Sequence, residues 1–332
     1  MKILALSWAP FGHRMDELSQ TVGGTRVSIT LLYGPRYFAP LRYLALFFRT
    51  LILLAVSRPD AVYAQNPPVF CPLTSLLYCR FAGKKLLVDH HSVWRTKTIG
   101  GVVGRGIGFL EAFVAAAADL NTAPHGVWAR ELSGMGASNV MVVHDFVERS
   151  PFARDQAVRE RYAKSSAIAI ASHGGHPLER IEAEVGAAST LEDFTLLITG
   201  PPSKLANRLA SLPPNVKYLG MLEMSDYLRL KASCDFALNV TDEPFTLSHV
   251  IFEYMASSLP VVSSPQSVVE DVFGDSLLYT NNSDTGEVAS TIRRLLTDRR
   301  MLDEYRRRTR TMYDRLRELH GTEIAELKSR IG

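Results

Sequence analysis

Cysteine is scarce in this chain of 332 residues: Cys71, Cys79 and Cys234 are the whole supply. Three thiols with no CxxC spacing exclude a disulfide framework, and their apolar settings read as reduced core residues of a cytoplasmic protein. Asp-x-Asp, HExxH and Cys/His clusters at ligand spacing are missing too, so neither a bound metal nor another resident cofactor is expected. No internal repeat or low-complexity segment is visible. The opening MKILALSWAPFGHR is too short in its apolar run for a secretory signal and reads as a first strand. Net charge is only +3, and no nucleic-acid partner is expected. That small excess is unevenly placed, because residues 293–332 hold 12 Lys/Arg against 7 Asp/Glu. Such a tail suits an anionic partner, a lipid surface or a nucleotide, or simply a solvated helix face.

What is present is alternation. Apolar strands are expected at 2–7, 26–32, 60–65, 85–89, 119–122 and 140–143, and again at 167–172, 194–199, 216–219, 234–240, 259–263 and 276–279. Helical windows lie between them, among them 36–57, 105–118, 177–188, 247–257 and 287–296. Near-continuously apolar strands separated by helices predict parallel sheets covered on both faces. The alternation pauses over the polar stretch 145–167, which predicts a linker. The expected organisation is α/β: two Rossmann-like doubly wound domains facing across a cleft, at 1–155 and 156–310, with a C-terminal helix at 311–332. In such sheets ligands bind outside the carboxyl ends of the strands.

The segment Phe38–Val56 approaches the length of a membrane span, but Arg42 and Arg49 interrupt it seven residues apart, on one helical face. A spanning helix would be destabilised heavily by both. An interfacial helix with arginines at phosphate depth fits, as does a buried helix whose arginines reach solvent.

The richest stretch is EPFTLSHVIFEYMASSLPVVSS, Glu243 to Ser264. It joins a turn to a helix, then Pro260 stops the helix and Val261 begins a strand. Amides near Thr246, Leu247, Ser248 and His249 would form a helix amino end able to hold a diphosphate. Glu253, about two turns in, would accept bonds from hydroxyls, or else lie exposed on the polar face. A second wall is Ser172-His173-Gly174-Gly175-His176-Pro177, with paired glycines allowing close approach and Pro177 at a first helical position. Here His173 or His176 would donate a hydrogen bond. Gly200 and the pair Gly220-Met221 follow two further strands. In the first half, Asp89-His90-His91 ends a strand, where a histidine can serve as general base on an acceptor hydroxyl, hydrogen-bond the donor sugar, or be a satisfied structural residue. Gly12 and His13 follow the first strand, and Gly100 to Gly108 reads as a flexible acceptor-side loop.

"IFEYMASSLPVV" resembles the donor-binding signature of GT-B glycosyltransferases, above all glycosyltransferase family 4. The resemblance implies a metal-independent transferase using a nucleotide-sugar donor, with Glu253 at the ribose. It places Gly220 and Met221 beside the base, and Gly12-His13 at the N-terminal glycine loop. The family's partner glutamate falls on Phe245, and the nearest acid is Glu243. The stretch Ser57–Phe70 is similar to dolichol-pathway-type lipid-linked mannosyltransferases, and Asp89 with His91 matches their Asp-x-His element. The two likenesses imply opposite stereochemistry. A lipid-linked or cell-envelope glycan acceptor is expected, with Arg42 and Arg49 against an anionic membrane and the protein peripheral on its cytoplasmic face. Two rivals are a catalytically inactive GT-B partner or membrane adaptor, and a nucleotide-sugar epimerase.

Overall fold

The computed structural model describes residues 1–9, 13–31, 39–91, 100–162, 167–244, 247–281 and 284–331. Gly12, Phe245 and Thr246 lie outside them. The chain divides into two units, 1–145 with 319–332, and 146–318.

In the first unit, strands β1 (Ile3–Ser7), β2 (Thr25–Ser28), β3 (Ala61–Asn66), β4 (Lys85–His90), β5 (Leu120–Ala123) and β6 (Val140–Val142) pair in parallel. Their order is β2-β1-β3-β4-β5-β6, so the winding reverses between β1 and β3. Helices α1 (His13–Thr21), α2 (Ala39–Ser57), α3 (Phe70–Ala82), α4 (Gly101–Ala117) and α5 (Gly126–Gly134) join them. Strand residues alternate between two apolar layers. Leu4, Leu6, Val62 and Val88 meet Leu46 and Leu54 of α2 on one side. Ala5, Tyr63 and Leu87 meet Met15 and Leu18 of α1 on the other, with Leu327 and Ile331 from the chain's last helix. Each such leucine, fully buried, contributes roughly 1.5–3 kcal/mol.

The second unit repeats the plan. Strands β7 (Ala167–Ser172), β8 (Phe194–Thr199), β9 (Val216–Gly220), β10 (Phe236–Asn239), β11 (Val261–Ser263) and β12 (Leu278–Tyr279) lie in the order β12-β11-β10-β7-β8-β9. The reversal falls between β7 and β10, the crevice where such sheets take ligands. Its helices are α6 (Gln156–Tyr162), α7 (Ile181–Ser189), α8 (Pro202–Leu205), α9 (Met224–Ser233), α10 (His249–Ala256), α11 (Ser267–Phe273) and α12 (Thr285–Thr297). Helix α13 (Arg299–Ile331) starts in this unit, and its residues from Leu319 onward belong to the first. Among the described residues the molecule is therefore two six-stranded, parallel, doubly wound sheets.

Two expectations are corrected, and one gains detail. The glycine-rich stretch after Gly100 is the first part of α4, because Ile107 and Leu110 pack on the core and override glycine's weak helix propensity. The polar linker contains α6. Pro177 does not open a helix, since α7 begins at Ile181 and the preceding turn folds back on Gly174–His176.

Candidate functional site

At the carboxyl edge of the second sheet, β7 ends in Ser172 and α10 rises after Ser248. Glu253 sits a little over one turn into α10, flanked along the chain by buried Ile251, Phe252, Tyr254 and Met255. It is not on an exposed polar face: its side chain is 24% accessible and anchored on one oxygen. Glu253 Oε2 accepts from Tyr227 Oη at 2.8 Å and from Lys231 Nζ at 2.9 Å. Tyr227 and Lys231 share one face of α9 because they are four residues apart. The Tyr227 hydroxyl also meets Ser172 Oγ at 2.9 Å, and the Ser172 amide donates to Tyr254 Oη at 2.8 Å. Lys231 Nζ lies 4.1 Å from the Tyr227 ring centroid, a cation–π contact inside the unit. Burial lowers the Lys231 pKa and Glu253 opposes that shift, while burial raises both tyrosines. The result is a carboxylate held rigid through Oε2, with Oε1 4.0 Å from His249 Nε2.

The helix amino end beside it is described from Leu247 onward. Ser248 is the N-cap residue, with Oγ accepting from Asn239 Nδ2 at 3.3 Å. His249 opens the helix, and Leu247 is buried in front of it. First-turn amides of such a helix have no intrahelical acceptor.

The glycine loop behaves differently from its expected role. The amides of Gly174, Gly175 and His176 all donate to the Glu179 carboxylate, at 2.8, 2.9 and 2.9 Å. Three consecutive N–H groups converging on an anion form a nest of the kind that binds phosphate, and here the chain's own carboxylate fills it. His173, too, is engaged by the chain itself on one ring nitrogen. It is buried, and its Nε2 bonds Glu184 Oε2 at 2.7 Å. Burial disfavours the charged ring, but Glu184 and Glu179 outweigh it and raise its pKa. Next to the nest, His176 Nδ1 lies 2.7 Å from Glu243 Oε1. Burial, then Glu179, pushes the Glu243 carboxyl up to about 7, and burial lowers the His176 pKa.

Gly200 serves the backbone. At φ +145° a Cβ there would stand 2.2 Å from the His173 carbonyl oxygen. Gly220, at φ +68°, accepts the Gly200 amide at 3.0 Å, and Met221 after it is exposed. The strand ends carrying Ser172, Gly200 and Gly220 are thus neighbours in the sheet.

In the first unit, Asp89 is corrected from catalytic to structural. It is 0% accessible, and Arg14 Nε approaches its oxygens at 3.0 and 3.2 Å while Thr122 Oγ1 donates at 2.8 Å. Arg14 also reaches Asp145 at 2.8 Å, and the two carboxylates hold its pKa up against burial. His90 is buried between Asn66 and Asn121, at 3.2 and 2.9 Å, and burial lowers its pKa to about 4. His91, one residue past β4, is exposed, with its amide on the Asn66 carbonyl at 2.9 Å. His13 opens α1. On α2, Arg49 is exposed, whereas Arg42 is half-buried and 5.6 Å from the Tyr43 ring centroid. Leu41, Leu44, Phe48, Ile52 and Val56 of the same helix are exposed.

Sequence reading missed Tyr227, Lys231 and Glu179. The first pair carried a signal, a tyrosine and a lysine at helical spacing in a polar stretch, but nothing local linked them to Glu253.

Comparison with known proteins fits this layout. A family model described as "Glycosyl transferase 4-like domain" matches residues 3–145, and one described as "Glycosyl transferases group 1" matches residues 177–298. No curated protein matches the sequence. Among solved structures, Anabaena Alr3699/HepE in complex with UDP and glucose is similar at TM-score 0.79 and 15% identity, over 99% of this chain and 100% of that one. Sucrose-phosphate synthase from Thermosynechococcus elongatus is similar at TM-score 0.79 and 13% identity, over 99% and 97% of the two chains. The S. aureus MnaA–UDP co-structure is similar at TM-score 0.63 and 14% identity, over 94% and 92%. At such identities the structures speak for the fold, while the two family matches speak for descent. With a 4-like domain followed by a group 1 domain, this chain belongs to the GT-B glycosyltransferases of the family 4 type.

Proposed function

We propose that this chain moves a glycosyl group from a nucleotide sugar to a hydroxyl of a lipid-linked or cell-envelope glycan, without a metal ion. The observation that carries the donor half is the Glu253 carboxylate, fixed by Tyr227 and Lys231 at the carboxyl edge of the second sheet. Its second oxygen suits a pair of ribose hydroxyls, and the amino end of α10 suits the diphosphate. In transfer, the bond from the anomeric carbon to the diphosphate breaks and a bond to the acceptor oxygen forms. His91 takes the acceptor proton. Fixed dipoles at the leaving diphosphate supply the main lowering of the barrier. The membrane half rests on α2, long and apolar enough to cross a membrane, yet carrying Arg42 and Arg49. Its exposed apolar residues enter the headgroup region on the cytoplasmic face, with the arginines at the phosphates.

Thermal shift across nucleoside diphosphates and their sugars tests the donor. Uridine diphosphate comes first, because HepE and MnaA were solved with it. A rise in Tm selective for one base, lost in Glu253→Ala, supports the reading through ligand linkage; no rise with any nucleotide sinks it. Transfer assays with lipid-linked acceptors then read turnover.

One observation favours a second reading, a nucleotide-binding partner without activity. Glu179 occupies the amide nest that would otherwise meet phosphate. Binding of a nucleotide sugar with no turnover for any acceptor would decide for it.

A further inference from the structure

The amino edge of the second sheet, opposite the Glu253 cluster, holds a cavity of about 370 Å³. Four arginines line it, Arg149, Arg154, Arg306 and Arg310, and no acidic residue does. Arg154 bonds Asp235 at 2.8 Å, Arg149 meets Asp314 at 3.2 Å and Arg306 meets Asp303 at 3.4 Å, all three carboxylates lying outside the lining. Arg310 is exposed and forms no ion pair among the described residues. Burial pushes the Arg306 pKa down, Asp303 and Asp235 oppose this, and the like charges of Arg154 and Arg310 add to it. The floor comes from Ala256–Leu259, where Ser258 takes φ +56° and the buried Ser257 Oγ has no hydrogen-bond partner among the described residues.

We propose that this cavity is a second anion site, taking a phosphate-bearing ligand distinct from the sugar-nucleotide donor. Planar guanidinium forks match phosphate oxygens two at a time, and crowded guanidinium groups gain from an anion placed among them. The volume lies in the range of small-ligand sites. The fold also connects it to the donor edge. Helix α9 carries Tyr227 and, one turn on, Lys231 directly before Ala232 at the cavity, and α10 carries Glu253 and then Ala256 at the cavity. The competing account is that the arginines merely offset the carbonyl ends of these helices.

The test is calorimetric titration of inorganic pyrophosphate into the full chain, wild type, Arg310→Gln, Arg306→Gln and Tyr227→Phe, with and without excess uridine diphosphate. Expected is binding to wild type that persists beside the nucleotide, weakens about tenfold for each arginine lost, and is unchanged in Tyr227→Phe. Because Arg310 is exposed and makes no ion pair among the described residues, its variant reads binding without a folding defect. No binding to wild type, binding equal in the arginine variants, or binding lost only with Tyr227→Phe overturns the proposal. The arginine dependence is readable whether or not the nucleotide binds, so the result stands apart from the donor reading. A sugar phosphate in the same titration and flotation with phosphatidic acid vesicles distinguish a soluble ligand from a lipid headgroup: the source is the arm whose binding the arginine variants lose.

Discussion

The carboxyl edges of the two sheets use their charged residues in opposite ways. In the first unit, Arg14, Asp89, Asp145 and His90 are turned inward and consumed by each other or by Asn66, Asn121 and Thr122. His91, one residue further along, is exposed. In the second unit, Glu253 is tied down on one oxygen and left partly accessible on the other side. A buried, fully paired carboxylate specifies a fold; one braced from behind and open in front can receive a ligand.

The largest expected effect comes from breaking the buried pair. Asp89→Asn leaves Arg14 charged in the interior and should lower unfolding free energy by about 3–5 kcal/mol, measured by urea denaturation. His91→Ala should leave stability within about 0.5 kcal/mol while removing transfer. Equal losses of stability in both would erase the contrast between the two neighbours. Next is Glu253→Gln. Losing charge-assisted bonds to hydroxyls, each about 1.5–3 kcal/mol, predicts nucleoside diphosphate affinity down roughly tenfold to a hundredfold by calorimetry. Unchanged affinity would move the donor elsewhere.

Glu179→Ala sharpens the comparison from the other side. Emptying the Gly174–His176 nest should raise diphosphate affinity by about fivefold, on the order of one hydrogen bond's net contribution, with some loss of stability. Lower affinity would mean that the nest is purely structural. The smallest effect is in pH. With the Glu243 pKa up at about 7, the carboxyl gains a negative charge as pH rises through neutrality. Diphosphate binding should therefore strengthen from pH 8 to pH 6 and flatten in Glu243→Gln. The same raised pKa means that the contribution of protonated Glu243 to stability is lost as pH rises from about 4.5 toward 7. A flat wild-type profile would remove Glu243 from the diphosphate's surroundings.

Much of the fold was legible because parallel strands buried on both faces announce themselves. All twelve strands lie where apolar runs suggested, and the group around Ile251-Phe252-Glu253 showed a polar residue with a reason to be there. What could not be read was which polar residues would be spent internally. Asp89 and His91 look alike in sequence, yet Asp89 lies within β4 and meets Arg14, some 75 residues away along the chain, whereas His91 follows the strand's end. Glu179 likewise reads as a helix-start acid, and only the turn after Pro177 brings its carboxylate onto three amides. The glycines after Gly100 suggested a loop because propensity is local, whereas the packing of Ile107 and Leu110 is not.

A crystal soaked with uridine diphosphate tests the central claim most directly. The account predicts ribose hydroxyls within hydrogen-bond reach of Glu253 Oε1, Lys231 and Tyr227 still on Oε2, and the diphosphate at the amino end of α10. A nucleotide seated away from this edge, with Glu253 touching nothing but its own chain, would contradict it.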